Sequence, residues 1–344
     1  MLKNETFKKV SFNFFSIFCL GDRKMTTFLT VLLFVLGLLF IVKGGDLFVD
    51  AAGWFAEISG IPKFIIGATV VSLATTMPEL LVSVFAAREG RIDISVGNAV
   101  GSVTANLGLI MGISLVCIPS SVRLRETAPK AVMMLIASTV MVVSGLFCGG
   151  VGIVTSITLL ILLAAFVYEN IVSAKRTGTQ TIVELTDGKK ADKNAVLRHV
   201  AMFVIGAAGI IYGADLLVDK GSMLAALFGV PERIIGVTMI AVGTSLPELA
   251  TTLTAISKRQ ASLSIGNIIG ANIIDLTLIL PISAFVSGSR LPISATSAYI
   301  DIPVCLLIAC TAVIPTLISK KFTRPQGIAM LVLYAAYVVV TCSV

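Results

Sequence analysis

Apolar residues run through this chain in long unbroken stretches, and the polar residues collect between them rather than alternating with them. A helix that crosses the hydrocarbon core of a bilayer needs about 20 mainly apolar residues. Stretches of that length recur at Thr26–Val49, Phe64–Ala87, Ile94–Ile118, Thr127–Cys148, Gly152–Ser173, Val200–Ala226, Ile234–Ser257, Leu263–Ser287, Ile293–Ser319 and Pro325–Val344. The pattern therefore predicts an all-α polytopic membrane protein with ten transmembrane helices. Its longest polar interruption, 174–199, carries Lys175, Arg176, Lys189, Lys190, Lys193 and Arg198. The expected organisation is a first five-helix unit over 25–173, a linker loop over 174–199 and a second five-helix unit over 200–344. Residues 1–24 stand apart, because their apolar core Val10–Leu20 is too short to span and has no small-residue cleavage site. They are expected to be a non-native or disordered extension ahead of Met25, with a weak uncleaved targeting segment as the alternative.

Composition sharpens this picture. Of the 344 residues 56% are hydrophobic and 13% charged, with a mean hydropathy of +1.00. A soluble chain carries about a quarter of its residues as charges, so soluble enzyme folds are excluded and no enzymatic activity is expected. The net charge of +7 reports orientation, since basic residues favour cytoplasmic loops. Placing the linker inside puts fifteen basic residues there, against five (Arg88, Arg91, Lys220, Arg233 and Arg290) on the other side. Five spans before the linker then put both termini outside. No nucleic-acid partner is expected, nor any cofactor: there is no phosphate-binding glycine loop, and His199, the single histidine, has no ligand partners nearby. The six cysteines lie mostly in apolar stretches at no metal-ligand spacing and read as small hydrophobes.

The two halves repeat each other. Glu79 and Glu248 are 169 positions apart, and the same offset aligns 44–110 with 213–279 without a gap, with about 24 identities in 67 positions. Gly44-Gly45-Asp46-Leu47 answers Gly213-Ala214-Asp215-Leu216, and Thr75-Thr76-Met77-Pro78-Glu79-Leu80 answers Thr244-Ser245-Leu246-Pro247-Glu248-Leu249. Five helices per copy is odd, so the second copy enters the membrane from the opposite side. Inverted repeats with interrupted helices are characteristic of secondary transporters, which bind ions near the midplane between the repeats.

An ionisable residue at the bilayer centre costs a few kcal/mol or more and is a functional candidate by default. Glu79 and Glu248 fall mid-span, each directly after a proline. Pro78 lacks an N–H and frees the carbonyl of Ala74, and Pro247 frees that of Gly243. At helical spacing Ser72, Thr75 and Glu79 share one face, as do Ala241, Thr244 and Glu248, and Thr76 and Ser245 add hydroxyls beside them. The next span of each copy supplies a second stripe: Ser95, Asn98, Ser102 and Asn106, against Ser264, Asn267, Ala271 and Asp275. Gly97, Gly101, Gly266 and Gly270 beside these stripes permit close helix approach. The donors gathered this way are all oxygen, from Glu79, Glu248, Asp275, Asn106, hydroxyls and free carbonyls. That set suits calcium or sodium and offers nothing soft for zinc or copper. Protons could replace sodium on buried carboxylates, so a proton-coupled cation antiporter is the alternative. A channel usually assembles its filter from symmetric subunits, whereas this chain completes a pseudo-symmetric site alone; an intramembrane aspartyl protease using Asp46 or Asp215 leaves the paired glutamates unexplained.

With Gly243–Glu248 reading Gly-Thr-Ser-x-Pro-Glu and Gly97–Asn106 reading Gly-Asn-x-x-Gly-Ser-x-x-x-Asn, the chain resembles the two alpha-repeats of the cation/calcium antiporter superfamily, of the prokaryotic sodium/calcium exchanger type. The resemblance implies sodium-for-calcium antiport in a prokaryotic cell membrane by a single chain, with calcium and sodium as transported ions and spans 1 and 6 sliding across a fixed core. It implies Glu79 and Glu248 as central calcium ligands and oxygens from Thr75 and Thr244. It further implies carbonyls from Ser72 and Ala241, a sodium-site hydroxyl from Ser102, and polar groups from Asn106 and Asp275. Three positions depart from the family pattern. Ala74-Thr75-Thr76 stands where Gly-Thr-Ser is usual, Ala271 where a serine is usual and Ser72 where an alanine is usual. Asp46 and Asp50, with Asp215 and Asp219, form i, i+4 pairs suited to pairing with Lys43, to capping, or to attracting cations at an entrance. Glu184, Asp187 and Asp192 lie in the linker, read as solvated and without a dedicated calcium-binding domain.

Overall fold

The computed structural model describes residues 4–119, 124–184, 193–227, 243–288 and 290–343, and helix dominates throughout. In chain order the apolar helices are α1 (Thr27–Ser59), α2 (Lys63–Thr75), α3 (Met77–Arg88), α4 (Ile92–Cys117), α5 (Arg125–Cys148) and α6 (Ile153–Lys175). The second half contributes α7 (Lys193–Gly221), α8 (Leu246–Ser257), α9 (Ala261–Val286), α10 (Ser297–Ser319) and α11 (Arg324–Thr341). Eight of these are long and apolar enough to cross a membrane among the described residues, and α2 with α3, bent by 45°, forms a ninth such segment. The expected span Ile234–Ser257 begins outside the described residues, and its remainder is α8. The apolar part of the first helix, which itself runs Asn4–Ser59, starts one residue from the expected Thr26.

The linker differs from its expected loop form. The helix of α6 continues to Glu184 and that of α7 already begins at Lys193. Polar composition by itself does not end a helix, and the spans project beyond their apolar stretches. Asp187, Lys189, Lys190 and Asp192 lie outside the described residues.

At the centre stand α4 and α9, with 78% and 83% of their apolar windows buried, against 39% or less in every other spanning helix. Around them α2, α5 and α10 close a core that includes Phe64, Val100, Met134, Ile269, Ile273 and Ile308. Lipid is as apolar as leucine, so helices in a bilayer associate through close packing and polar contacts rather than by escaping water. The sequence provides for this with glycine. A Cβ on Gly266 would collide with the carbonyl of Phe64, and one on Gly67 with that of Leu263, so α2 and α9 lie backbone against backbone.

A second glycine seam joins α1 to α7. Gly37 meets Gly213 and Gly44 meets Gly206, where added Cβ atoms would come within 2.7–2.8 Å of carbonyl oxygens. The pairing is antiparallel, and it is reciprocal under the 169-residue offset, since Gly206 answers Gly37 and Gly213 answers Gly44. Further along, Phe48 stacks on Phe203 at 4.4 Å, and Trp54 lies flat on His199 at 4.0 Å. The single histidine is thus a packing residue in this seam. Large apolar side chains such as Phe28 and Leu39 of α1 and Ile161 of α6 point outward, as lipid-facing surfaces require.

Candidate functional site

The site forms where the bent segments meet α4 and α9. The break between α2 and α3 falls at Thr76, with Pro78 in the first turn of α3, as the missing proline N–H dictates. Ser245 is the corresponding turn residue ahead of α8, with Pro247 in that helix's first turn. Both glutamates therefore sit in the first turn of a broken helix, where unpaired backbone N–H groups create positive potential.

Two further irregularities bear on the site. Asn106 opens a π-helical turn in α4, Asn106–Met111, and Asp275 opens one in α9, Asp275–Ile279. Such turns insert an extra residue into the helical ladder and are frequent at functional sites. Here they occur at positions related by the repeat.

Two asparagines lock the halves together. Asn98 on α4 donates from Nδ2 to the Glu79 carbonyl at 3.2 Å and to Ser83 Oγ at 2.9 Å, and its Oδ1 accepts from Thr244 Oγ1 at 3.1 Å. Asn267 on α9 donates to Thr251 Oγ1 at 3.0 Å and accepts from Thr75 Oγ1 at 3.3 Å. Each asparagine thus braces its own half and receives a threonine hydroxyl from the other. Ser102 Oγ also meets Thr244 Oγ1 across the halves, at 3.3 Å.

Inside this frame the carboxylates are left without partners. Glu79, Glu248 and Asp275 are 1%, 0% and 1% exposed, and none of their six carboxylate oxygens has a hydrogen-bond partner among the described residues. Asn106 is fully buried with both amide atoms unpartnered, and Ser245 Oγ is likewise unpartnered. Thr244 stands beside Glu79, and Thr75 and Thr76 stand beside Glu248. Glu79 lies within electrostatic reach of both other carboxylates, as Asp275 does of Glu248. Burying a charge without a partner costs several kcal/mol, so these carboxylates need either a counter-ion or a proton to be buried. No group of three His, Cys, Asp or Glu side chains among the described residues is close enough to hold a metal by itself. An ion held here would have to draw on amide, hydroxyl or carbonyl oxygens as well.

The sequence candidates divide accordingly. Glu79, Glu248 and Asp275 lie within electrostatic reach, with Thr75, Thr76 and Thr244 beside the glutamates and Ser102 against Thr244; Ser72, Asn106 and Ser245 are buried on the same helical segments or the turn between them, while Ala241 lies outside the described residues. The carbonyl of Ser72 is heavily engaged: it accepts from Thr75 Oγ1 at 3.3 Å, Thr76 Oγ1 at 2.6 Å and the Thr76 N–H at 2.9 Å. Of the stripes, Asn98 and Asn267 serve as braces, a role their repeated Gly-Asn pairs could have signalled. The expected pairing of Asp46 and Asp50 with Lys43 is corrected. Lys258, in the turn after α8, reaches Asp50 at 2.8 Å and Asp46 at 3.4 Å, a contact between elements too distant in sequence for i, i+4 spacing to reveal.

A helical integral membrane protein with a buried centre of unpartnered carboxylates is the class these features define. The sequence profile of the sodium/calcium exchanger protein family matches residues 29–172 and 198–342, and the chain belongs to that family. It is 29% identical to the sodium/calcium exchanger MaX1 of Methanosarcina acetivorans, over 90% of this chain and 97% of that one. It is 32% identical to the inner membrane protein YrbG of Escherichia coli, over 82% and 86%. Among solved structures it resembles the sodium-calcium exchanger NCX_Mj soaked with sodium and strontium, with a TM-score of 0.78 and 28% identity, covering 91% of this chain and 99% of that one.

Proposed function

We propose that the chain is a secondary antiporter that exchanges sodium for calcium by alternating access. In this reading ten spanning helices form two inverted five-helix repeats, and the ions bind between them near the bilayer midplane. The ligands are Glu79, Glu248, Asp275 and Asn106, with oxygens of Thr75, Thr76, Thr244, Ser245, Ser102, Ser72 and Ala241. The observation that carries the reading is the set of three buried, unpartnered carboxylates. Calcium takes six to eight oxygens in flexible geometry, and sodium uses the same donors. The reciprocal bonds of Asn98 and Asn267 support the inverted arrangement, because a contact and its counterpart exchange roles between the copies. The names of MaX1 and NCX_Mj, both sodium/calcium exchangers, point the same way. A single chain is the working unit, set in a prokaryotic cell membrane with both termini outside and the linker cytoplasmic.

Calcium uptake into everted vesicles under an imposed sodium gradient, at clamped pH, tests this. Uptake should follow the sodium gradient and cease when the gradient is collapsed. The unpartnered carboxylates can equally carry protons, which favours coupling to protons as the second reading. Uptake that tracks a pH gradient and ignores sodium would establish it and remove the first.

A further inference from the structure

The two copies are unequal in hydroxyls. At the 169-residue offset Ser102 answers Ala271 and Ser72 answers Ala241, so the first copy carries two serines where the second has none. Ser102 Oγ lies 3.3 Å from Thr244 Oγ1. Carried over by the same offset, that contact pairs position 271 with Thr75, and there the buried Ala271 has no hydroxyl to give.

Ser72 occupies this region. It precedes Thr75 by one turn on the same face and is fully buried. Its Oγ lies 2.6 Å from where a Cβ on Gly270, the neighbour of Ala271, would stand. The hydroxyl proton goes to the Thr69 carbonyl at 3.1 Å, and no described donor occupies the oxygen lone pairs. The Ser72 carbonyl, by contrast, already accepts three bonds.

We infer that the side-chain oxygen of Ser72, rather than its carbonyl, is an ion ligand that supplies the hydroxyl missing at position 271. Each half of the centre then keeps one serine hydroxyl, both from the first copy. The inference rests on the sodium/calcium exchange reading and assigns the Ser72 hydroxyl chiefly to sodium. Divalent binding is dominated by charged oxygens, whereas a monovalent ion draws a larger share of its stabilisation from neutral dipoles.

The test uses purified full-length protein in proteoliposomes, with calcium uptake measured against internal sodium and against external calcium. Ser72→Ala should raise the sodium half-saturation about tenfold, several times more than it shifts that for calcium; tenfold is near the low end of a charge-assisted hydrogen bond's worth. Adding Ala271→Ser to Ser72→Ala should recover most of the loss by returning a hydroxyl from the facing helix. An unchanged sodium half-saturation, equal shifts for both ions, or failure of the double variant to recover with a normal size-exclusion profile would each overturn the assignment. A wild type indifferent to sodium would instead overturn the exchange reading, and the inference with it.

Discussion

Asn98 offers the most direct test of the frame that holds the carboxylates. Asn98→Ala removes three hydrogen bonds, to the Glu79 carbonyl, to Ser83 and from Thr244. Side-chain hydrogen bonds within membrane proteins average about 0.6 kcal/mol and reach about 1.7, so three contribute roughly 2 kcal/mol. Ser83 is fully buried, and losing its donor adds about 1–2 kcal/mol of unmet polar cost. The expected destabilisation is about 3–4 kcal/mol. Thr244→Val removes its bond to Asn98 together with its contact to Ser102, and because the Asn98–Thr244 bond is shared by both single variants, the double variant should lose less than the sum, with a coupling of about 1 kcal/mol.

Trp54 is the only tryptophan. Stacked on His199 in the α1–α7 seam, it makes fluorescence a probe of denaturation by titrated detergent. The seam belongs to a different part of the molecule from Asn98, so an early Trp54 transition would also report that the two regions unfold together. A coupling under about 0.3 kcal/mol, within ordinary additivity error, would refute the claim that Asn98 joins the two halves.

Glu79→Gln or Glu248→Gln should reduce exchange to background. In chelator each variant should match or exceed wild-type stability, because glutamine removes an uncompensated buried charge, while calcium-induced stabilisation is lost; a calcium-dependent melting shift equal to wild type would count against the site. Gly266→Ala should cost about 1–3 kcal/mol in the same detergent titration, since its Cβ meets the Phe64 carbonyl. Gly145→Ala, whose new Cβ finds Ile302 Cδ1 at 3.4 Å, is the tolerated comparison, and equal losses would refute the packing argument. Asp275→Asn makes the position match Asn106 and removes one negative charge, so exchange rates should change their response to an imposed membrane potential, by up to about 2.3 kcal/mol per 100 mV for one full charge; an unchanged voltage response would remove Asp275 from the ion path.

Much of this architecture is legible in the residues because the bilayer imposes few solutions. Span edges follow from apolar length, the break at Thr76 from the missing N–H of Pro78, and the pairing of the two Pro-Glu segments from the repeat. What stays hidden depends on contacts that no local pattern encodes. Asn98 and Asn106 look alike in one stripe, yet one is saturated with bonds and the other unpartnered, and only the position of the opposite half decides which. The π-helical turns at Asn106 and Asp275 follow no single residue type, since Gly108 sits in one and Thr277 at the matching place in the other. The Lys258 pairing depends on α1 lying against the turn after α8, a tertiary fact.

The same observations bear on why such a centre would exchange ions rather than leak them. Three carboxylates within electrostatic reach of one another, without hydrogen-bond partners and sealed from solvent, are unfavourable when empty. A passage that occludes the centre is therefore least costly when cations occupy it. The charge balance distinguishes the cargoes as well: a divalent ion offsets two negative charges, whereas a set of monovalent ions matches the charge by number. Asn106 and Asp275 occupy matching repeat positions and differ by one charge, so the centre's total is odd where strict duplication would make it even. On the exchange reading, that extra carboxylate keeps the calcium-loaded and sodium-loaded states from being electrically equivalent, and it ties the direction of transport to the membrane potential as well as to the two ion gradients.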